Sequence, residues 1–375
     1  MHLLGNQGKI LHVISLKHPV RTPCFSWHVY PPSVGACLSS FVVRSLFFSV
    51  LPVGLISCPP VHCENAMHLN IPKQSGSGSP RITSGSSPLM RKRSRFHSVS
   101  HTLVHELFNL DGKVAIVTGG YGAIGADMCR GLAKAGAIVG ILGRKVEKVR
   151  ALAEEIKKDG HSCFECVADV TNLKQLEQVS LDTVRQYGKI DILVNCAGGN
   201  MKGATLGADR SFFDLPIGGF KDIMNLNFHG AVLCCQVFGK MMYNQGYGNI
   251  VNVSSIAANA NTLSNVGAYS SSKAALTHFT SWLGAHLAKA YGATIRCNAI
   301  APGFIVAKQN KSLLMNEDGT TSDRGKRILA KTPMQRFGSP DELNGALIFL
   351  CSDASKFMTG SVVTVDGGFT ASSGV

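Results

Sequence analysis

Residues 114–125 read Val114-Ala115-Ile116-Val117-Thr118-Gly119-Gly120-Tyr121-Gly122-Ala123-Ile124-Gly125. An uncharged, mostly apolar run of this length fits a strand buried on both faces of a parallel sheet. The glycines that follow allow a tight turn and let backbone approach a ligand, and a helix starting there offers free N–H groups to a phosphate. A glycine-rich turn alone is a weak signal. Its place after the first strand of a strand–helix–strand unit makes it a cradle for a dinucleotide pyrophosphate. Gly119, Gly120, Tyr121, Gly122, Ile124 and Gly125 are assigned to it.

The pattern continues as alternating strands and helices. Strands are predicted over 113–118, 137–142, 163–168, 190–195, 249–254, 294–299 and 362–365, and helices over 122–135, 146–158, 173–187, 220–245, 268–291 and 341–351. The alternation implies an α/β fold: a Rossmann-type doubly wound parallel sheet of about seven strands, in one domain covering 108–375. The second strand ends in Leu142-Gly143-Arg144-Lys145. An acid there would bind a ribose 2′-hydroxyl, and a base would take a 2′-phosphate. With two bases and no acid, the strand end favours NADP over NAD through Arg144; otherwise Arg144 only caps the strand at the surface. Asp169 and Val170 follow the third strand, where a carboxylate can meet the adenine amino group. Asn195, Ala197 and Gly198 end the fourth, where small residues line a cofactor channel.

Farther along, Ala268-Tyr269-Ser270-Ser271-Ser272-Lys273 follows the pair Ser254-Ser255. Tyr269 and Lys273 are one helical turn apart and share a face. A phenol beside an ammonium is suited to act as a general acid/base, with its pKa lowered toward working pH. A serine hydroxyl can hydrogen-bond a carbonyl as charge develops on its oxygen. Together with the phosphate cradle, this set implies a nicotinamide-dependent carbonyl reductase.

The net charge of +14 is unevenly spread. Residues 1–100 hold ten Lys/Arg and one acid, a balance of +9, which leaves +5 for the rest, so nucleic-acid binding is not expected. Residues 1–100 are read as a leader or disordered extension outside the enzyme. Within it, 41–56 is apolar but short, broken by Arg44 and Pro52, and marginal as a membrane span. Membrane contact is expected only if that segment is retained. A Ser/Gly/Pro-rich stretch over 74–88 precedes Arg91-Lys92-Arg93-Ser94-Arg95, a composition like an organelle transit sequence. The alternatives are a disordered tail or sequence upstream of a start at Met67 or Met90. The expected location is the cytoplasm or, with a working transit sequence, an organelle such as the mitochondrion. The twelve cysteines show no metal spacing. Cys163 and Cys166 fall on a predicted strand, where side chains three apart face opposite ways, and no metal site is expected. His229 is read as a packed core histidine.

Thr118-Gly119 with Gly125, Asn195-Cys196-Ala197-Gly198, Asn227, Ser255, Tyr269-x-x-x-Lys273 and Pro302-Gly303 stand in the order of the short-chain dehydrogenase/reductase superfamily, which 108–375 resembles. Within that superfamily, a finer resemblance is to the D-mannonate oxidoreductases (fructuronate reductases). It rests on Ala197-Gly198-Gly199-Asn200, Phe212-Phe213-Asp214-Leu215, Asn316-Glu317-Asp318-Gly319, Thr332-Pro333-Met334 with Arg336-Phe337-Gly338, and Val365-Asp366-Gly367-Gly368-Phe369. The resemblance implies Asn227, Ser255, Tyr269 and Lys273 as the catalytic set, with Tyr269 the acid/base and Asn227 holding a water that relays protons to Lys273. It adds Pro302, Gly303 and Ile305 to the cofactor site. For a keto sugar acid such as D-fructuronate it points to Asn200, Lys308, Gln309 and Asn310. Lys202 and Arg336 are further candidates, the latter equally readable as a loop-anchoring ion pair.

A homotetramer is also implied, in keeping with apolar faces on the 220–245 and 268–291 helices. Three departures stand out: Ala123 at the middle glycine of the turn; Ser255 fourteen residues before Tyr269, one more than usual, which leaves Ser254 as an alternative; and Ala307 where a threonine is frequent. The alternative functions are reduction of another carbonyl, such as a 3-oxoacyl thioester, or a non-catalytic nucleotide-binding protein on the same fold.

Overall fold

Strand β1 (Val114–Thr118) is buried at every position and is an interior strand, third in a seven-stranded sheet. The computed structural model describes residues 104–207, 210–258, 265–307 and 310–372, so the leader and the segments predicted within it lie outside the described residues. The remaining strands are β2 (Ile138–Gly143), β3 (Cys163–Val167), β4 (Ile192–Asn195), β5 (Gly248–Val253), β6 (Ile295–Pro302) and β7 (Val362–Val365). Their order is β3-β2-β1-β4-β5-β6-β7, and every pairing is parallel. The chain builds outward from β1 to β3, crosses back, and resumes with β4 on the other side of β1. That reversal opens a crevice beyond the carboxyl ends of β1 and β4, the place where open α/β sheets bind ligands.

Parallel connections need helices, and these cover both faces. On one face α1 (Ala123–Lys134), α2 (Val146–Lys158) and α9 (Asn344–Cys351) bury Met128, Leu132, Leu152, Ile156, Leu347 and Leu350, with α1 and α2 over β1–β3 and α9 over β5 and β6. On the other, α3 (Leu173–Tyr187), α5 (Gly230–Gln245) and α6 (Gly267–Tyr291) bury Leu176, Phe238, Met242 and Leu276. Each large aliphatic or aromatic side chain buried this way contributes about 1.5–3 kcal/mol relative to exposure. Cys163 packs in the first of these cores and Cys166 in the second, on opposite faces as strand alternation requires. Local chemistry sets the helix ends. The Asn172 side chain accepts from Gln175 N–H at the start of α3, and Gly188, at φ 76°, closes its other end.

The helix predicted over 220–245 is in fact three pieces. A first helix, α4 (Ile217–Met224), runs into a π-helical turn (Asn225–His229), which leads into α5. His229 sits on the exposed side of that turn with its ring 5.6 Å from Phe228, so it is not a core histidine. The helix predicted over 341–351 begins as a 3₁₀ turn, Pro340–Leu343, with Ser339 and Glu342 forming a capping box. Sequence periodicity does not reveal the 3₁₀ turns Lys202–Ala204 and Phe212–Asp214 or the short helices α7 (Lys311–Leu314) and α8 (Asp323–Ala330). Of these segments, α7 lines the crevice through Leu313. Among the described residues no helix is long and apolar enough to cross a membrane.

Candidate active site

A cleft of about 610 Å³ occupies the crevice. Its floor is the turn after β1. Gly119 has φ 63°, and a Cβ there would fall 2.8 Å from Ala197 Cα. A Cβ on Gly125 would fall 2.2 Å from the Gly119 carbonyl oxygen. Both positions therefore require glycine. The buried Thr118 hydroxyl accepts hydrogen bonds from the Cys196 and Ala197 N–H groups, each at 3.1 Å, and locks the ends of β1 and β4 together. Gly122, Ala123, Ile124 and Gly125 line the cleft at the start of α1, where the first N–H groups of a helix lack intrahelical acceptors. Ala123, which replaces the expected glycine, is simply the first residue of that helix. This backbone cradle, which side chains would fill, fits a dinucleotide pyrophosphate.

Two predicted cofactor residues lie behind the cleft wall. Gly120 makes room for Ile141 and Cys129. The Asn195 side chain points into the sheet, donating to Asn252 Oδ1 at 2.9 Å, and Asn252 in turn donates to Thr280 of α6 at 2.8 Å. At the adenosine end Ala168 is part of the wall, as are the predicted Tyr121, Arg144 and Val170. Asp169 is not. Its carboxylate accepts from Thr171 N–H (2.9 Å) and Oγ (2.7 Å), and Arg144 Nη1 lies 3.4 Å away. Burial pushes the Asp169 carboxyl up, but the Thr171 amide and hydroxyl and the Arg144 guanidinium outweigh it and hold it below its usual value. Arg144 is thus ion-paired and does not merely cap β2.

The proposed chemical centre is built where β5 ends and α6 begins. Lys273, buried on α6, donates from Nζ to the Val253 carbonyl at 2.6 Å. Burial lowers its ammonium to about 8 from 10.5, against a smaller opposing influence of Cys196. Its Nζ lies 5.9 Å from the Tyr269 ring centroid. The sequence suggests that Lys273 lowers the phenol. In the structure burial raises Tyr269, and a hydrogen bond with the Ser255 side chain opposes the rise. The two serines are now distinguishable. Ser254 Oγ shares a 2.5 Å hydrogen bond with Thr277 Oγ1 and is turned into α6, whereas Ser255 is the serine that meets Tyr269.

Asn227 sits in the π turn and is fully buried. Its Oδ1 accepts from Gly199 N–H at 2.9 Å, and its Nδ2 donates to the Gly199 carbonyl at 3.0 Å and to Ser272 Oγ at 2.9 Å. These bonds fasten the loop after β4 to the helix that carries Tyr269 and Lys273. A Cβ on Gly198 would lie 3.0 Å from Asn227 Oδ1 and 3.4 Å from Lys273 Nζ, so both side chains converge beneath that glycine. The amide therefore anchors a loop, a role that the sequence does not reveal.

Pro302, Gly303, Ile305 and Ala307 line the cleft on the β6 side. Of the predicted substrate residues, Lys308 and Gln309 lie outside the described residues. Asn200 lines the mouth and donates to Thr205 Oγ1 at 2.8 Å. Asn310 also lines it, but its amide is turned on its own loop, accepting from Ala307 N–H and donating to the Ile305 carbonyl, each at 2.8 Å. Arg336 is held by Glu342 through two bonds of 2.8 and 2.7 Å, the loop-anchoring reading of that residue. Lys202 is exposed and is not part of the wall. Sequence reasoning does not single out the apolar wall residues Leu226, Ile256 and Leu313. Their only signal is hydrophobicity, which core residues share. Among the described residues no group of acids, histidines and cysteines could hold a metal ion.

A family profile described as enoyl-(acyl carrier protein) reductase matches residues 120–370. An uncharacterized oxidoreductase of Bacillus subtilis (strain 168) is 43% identical over 281 residues, covering 72% of this chain and 99% of that protein. A crystal structure from Haemophilus influenza with bound NAD, provisionally described as a D-mannonate oxidoreductase, is 40% identical. It covers 72% of this chain and 100% of its own, with a TM-score of 0.67. A gluconate 5-dehydrogenase from Burkholderia cenocepacia in complex with NADP and tartrate is 30% identical, covering 72% and 99% of the two chains with a TM-score of 0.64.

Proposed function

The chain belongs to the short-chain dehydrogenase/reductase family of oxidoreductases, and from that premise we propose that it reduces a keto sugar acid of the D-fructuronate type to the corresponding alcohol with NADPH or NADH. The observation that carries the substrate class is Asn200, whose amide lines the mouth of the cleft that also contains Ser255 and Tyr269. Amides suit a polyol because they offer both a donor and an acceptor to its hydroxyls. The 40% identity to the Haemophilus protein supports the same class.

The chemistry divides between the cofactor and the protein. When bound, the nicotinamide supplies the hydride that reaches the carbonyl carbon. Tyr269 gives its phenolic proton to the carbonyl oxygen, which completes the alcohol. Ser255, hydrogen-bonded to Tyr269, donates to that oxygen as negative charge develops on it. Lys273, held at the Val253 carbonyl, keeps positive charge beside the phenol and faces the cleft where a ribose would lie. Asn227 keeps the loop 197–200 in register with α6.

The Asn200→Ala variant is expected to lower fructuronate reduction at least about tenfold, near 1.4 kcal/mol in the barrier, because a desolvated hydroxyl left unpaired loses about 1–3 kcal/mol. Following nucleotide oxidation with hexuronates, 3-oxoacyl thioesters and simple ketones tests the substrate class. Phe304, Ile305 and Leu313 give part of the cleft an apolar wall, which favours 3-oxoacyl thioesters as the second reading. Turnover of thioesters with none of any hexuronate would make that second reading the correct one.

The proposal extends to a homotetramer. Tyr243 on α5 and Trp282 and Tyr291 on α6 are 53%, 54% and 47% exposed. They belong to one row of ring contacts, with His286 stacked on Trp282 at 5.1 Å and Tyr291 4.8 Å from Tyr243. Exposed aromatic rows of this kind are characteristic of protein interfaces. Light scattering at micromolar concentration is expected to give four times the chain mass, and a monomer mass would refute it.

A further inference from the structure

The end of β2 carries a packing arrangement that proton transfer does not require. Gly143 is the last residue of the strand, and the Tyr121 ring lies over it. A Cβ at 143 would fall 2.3 Å from Tyr121 Cε1 and 2.6 Å from Cδ1. Carbon atoms normally keep about 3.5–4.0 Å apart, so no side chain at 143 can coexist with the ring in this position. The ring has a second neighbour, Lys148 Nζ, 5.9 Å from its centroid.

Position 143 is at the strand end where an acid would meet a ribose 2′-hydroxyl. The next side chain, Arg144, is 63% exposed and reaches Asp169. The short turn after β2 thus presents Arg144, Lys145 and Lys148, with Glu147 and Asp169 as the nearby acids. Asp169 is committed to Thr171 and Arg144.

We propose that Tyr121 is a specificity-determining residue: by filling the volume over Gly143 it excludes a carboxylate from the end of β2 and leaves Arg144 as the charged group at the ribose 2′ position, which selects NADPH over NADH. The inference rests on the nicotinamide-dependent reading above and adds the residue that sets its cofactor choice. Asp169 holds the guanidinium at the rim of the cleft until a phosphate takes its place.

The test is direct titration of the full chain with NADPH and NADH, read by nucleotide fluorescence without substrate. Arg144→Ala is expected to weaken NADPH at least about tenfold and leave NADH unchanged, the scale of one charge-assisted contact. Gly143→Asp alone should weaken both nucleotides, because the displaced ring is pushed into the cleft. Tyr121→Ser combined with Gly143→Asp should reverse the preference, tightening NADH relative to NADPH by at least about tenfold. A double variant that keeps the wild-type ratio overturns the proposal. So does Gly143→Asp alone giving the full reversal, since the ring would then be no obstacle. Should the double variant fail to fold, Gly143→Ala serves the same purpose. It should weaken both nucleotides when Tyr121 is present and have little effect in the Tyr121→Ser background, and equal effects in both backgrounds overturn the proposal. A wild-type chain that binds neither nucleotide would overturn the reductase reading itself, an outcome distinct from binding with an unchanged ratio.

Discussion

Replacing Tyr269 with phenylalanine is expected to lower turnover by about two orders of magnitude or more, the usual scale for loss of a general acid, with nucleotide affinity near wild type. The substitution keeps the ring and its packing on α6 and removes only the hydroxyl. That hydroxyl is the partner of Ser255, and no other described phenol lines the cleft near it except Tyr121, at the adenosine end. The loss should therefore fall on kcat, with the KM for the nucleotide little changed. Steady-state kinetics paired with direct nucleotide titration check this. Near-normal turnover in the Phe variant would remove Tyr269 from the mechanism.

Lys273→Met is expected to cost a similar factor in turnover and, in addition, to change how stability depends on pH. In the folded chain the ammonium is lowered to about 8, against 10.5 when exposed. Between those values the unfolded chain binds more protons at this position than the folded chain, so stability rises with pH across that window. Below about pH 8 the full burden of a buried charge is present; above 10.5 it is gone. The difference is on the order of 3 kcal/mol for this one fully buried group. Methionine fills a similar volume and does not titrate. Loss of the bond to the Val253 carbonyl costs about 1–3 kcal/mol, so the variant should be near neutral in stability at pH 7 and relatively less stable at pH 10. Urea denaturation of both proteins at the two pH values measures it. A stability difference independent of pH would mean that Lys273 is not held in the lowered state.

The strands were legible because burial on both faces leaves an uninterrupted apolar run. Val114–Thr118 and Ile192–Asn195 are examples, buried at every position, and the predicted strand limits lie within three residues of those observed. Tyr269 and Lys273 were legible because one helical turn separates them whatever the tertiary structure. The residues misplaced by the sequence share another cause. A glycine in a glycine-rich turn can serve a ligand or a neighbouring side chain, and Gly120 does the latter. Asn195 ends a strand whose last side chain points inward rather than to the crevice. Asn310 is amide-bearing, but only the loop's own geometry shows that the amide is spent on Ala307 and Ile305. The helices between β6 and α9 were missed because α7 is only four residues long and α8 eight, too few for a periodic pattern to emerge. Nothing in Asn225-Leu226-Asn227-Phe228-His229 announces a π turn, and the partners that Asn227 reaches there, Gly199 and Ser272, are distant in sequence.

That π turn has a meaning for how the protein tolerates change in length. A single π turn amounts to one residue more than a regular helix needs, and such turns are frequent at functional sites. Here the surplus residue is spent where Asn227 reaches the loop after β4. Deleting one residue between Asn225 and His229 would let α4 and α5 fuse into one unbroken helix and still present Phe238 and Met242 to the sheet. The fold would gain regularity, and the site would lose its tether. In this stretch, counting residues matters as much as naming them.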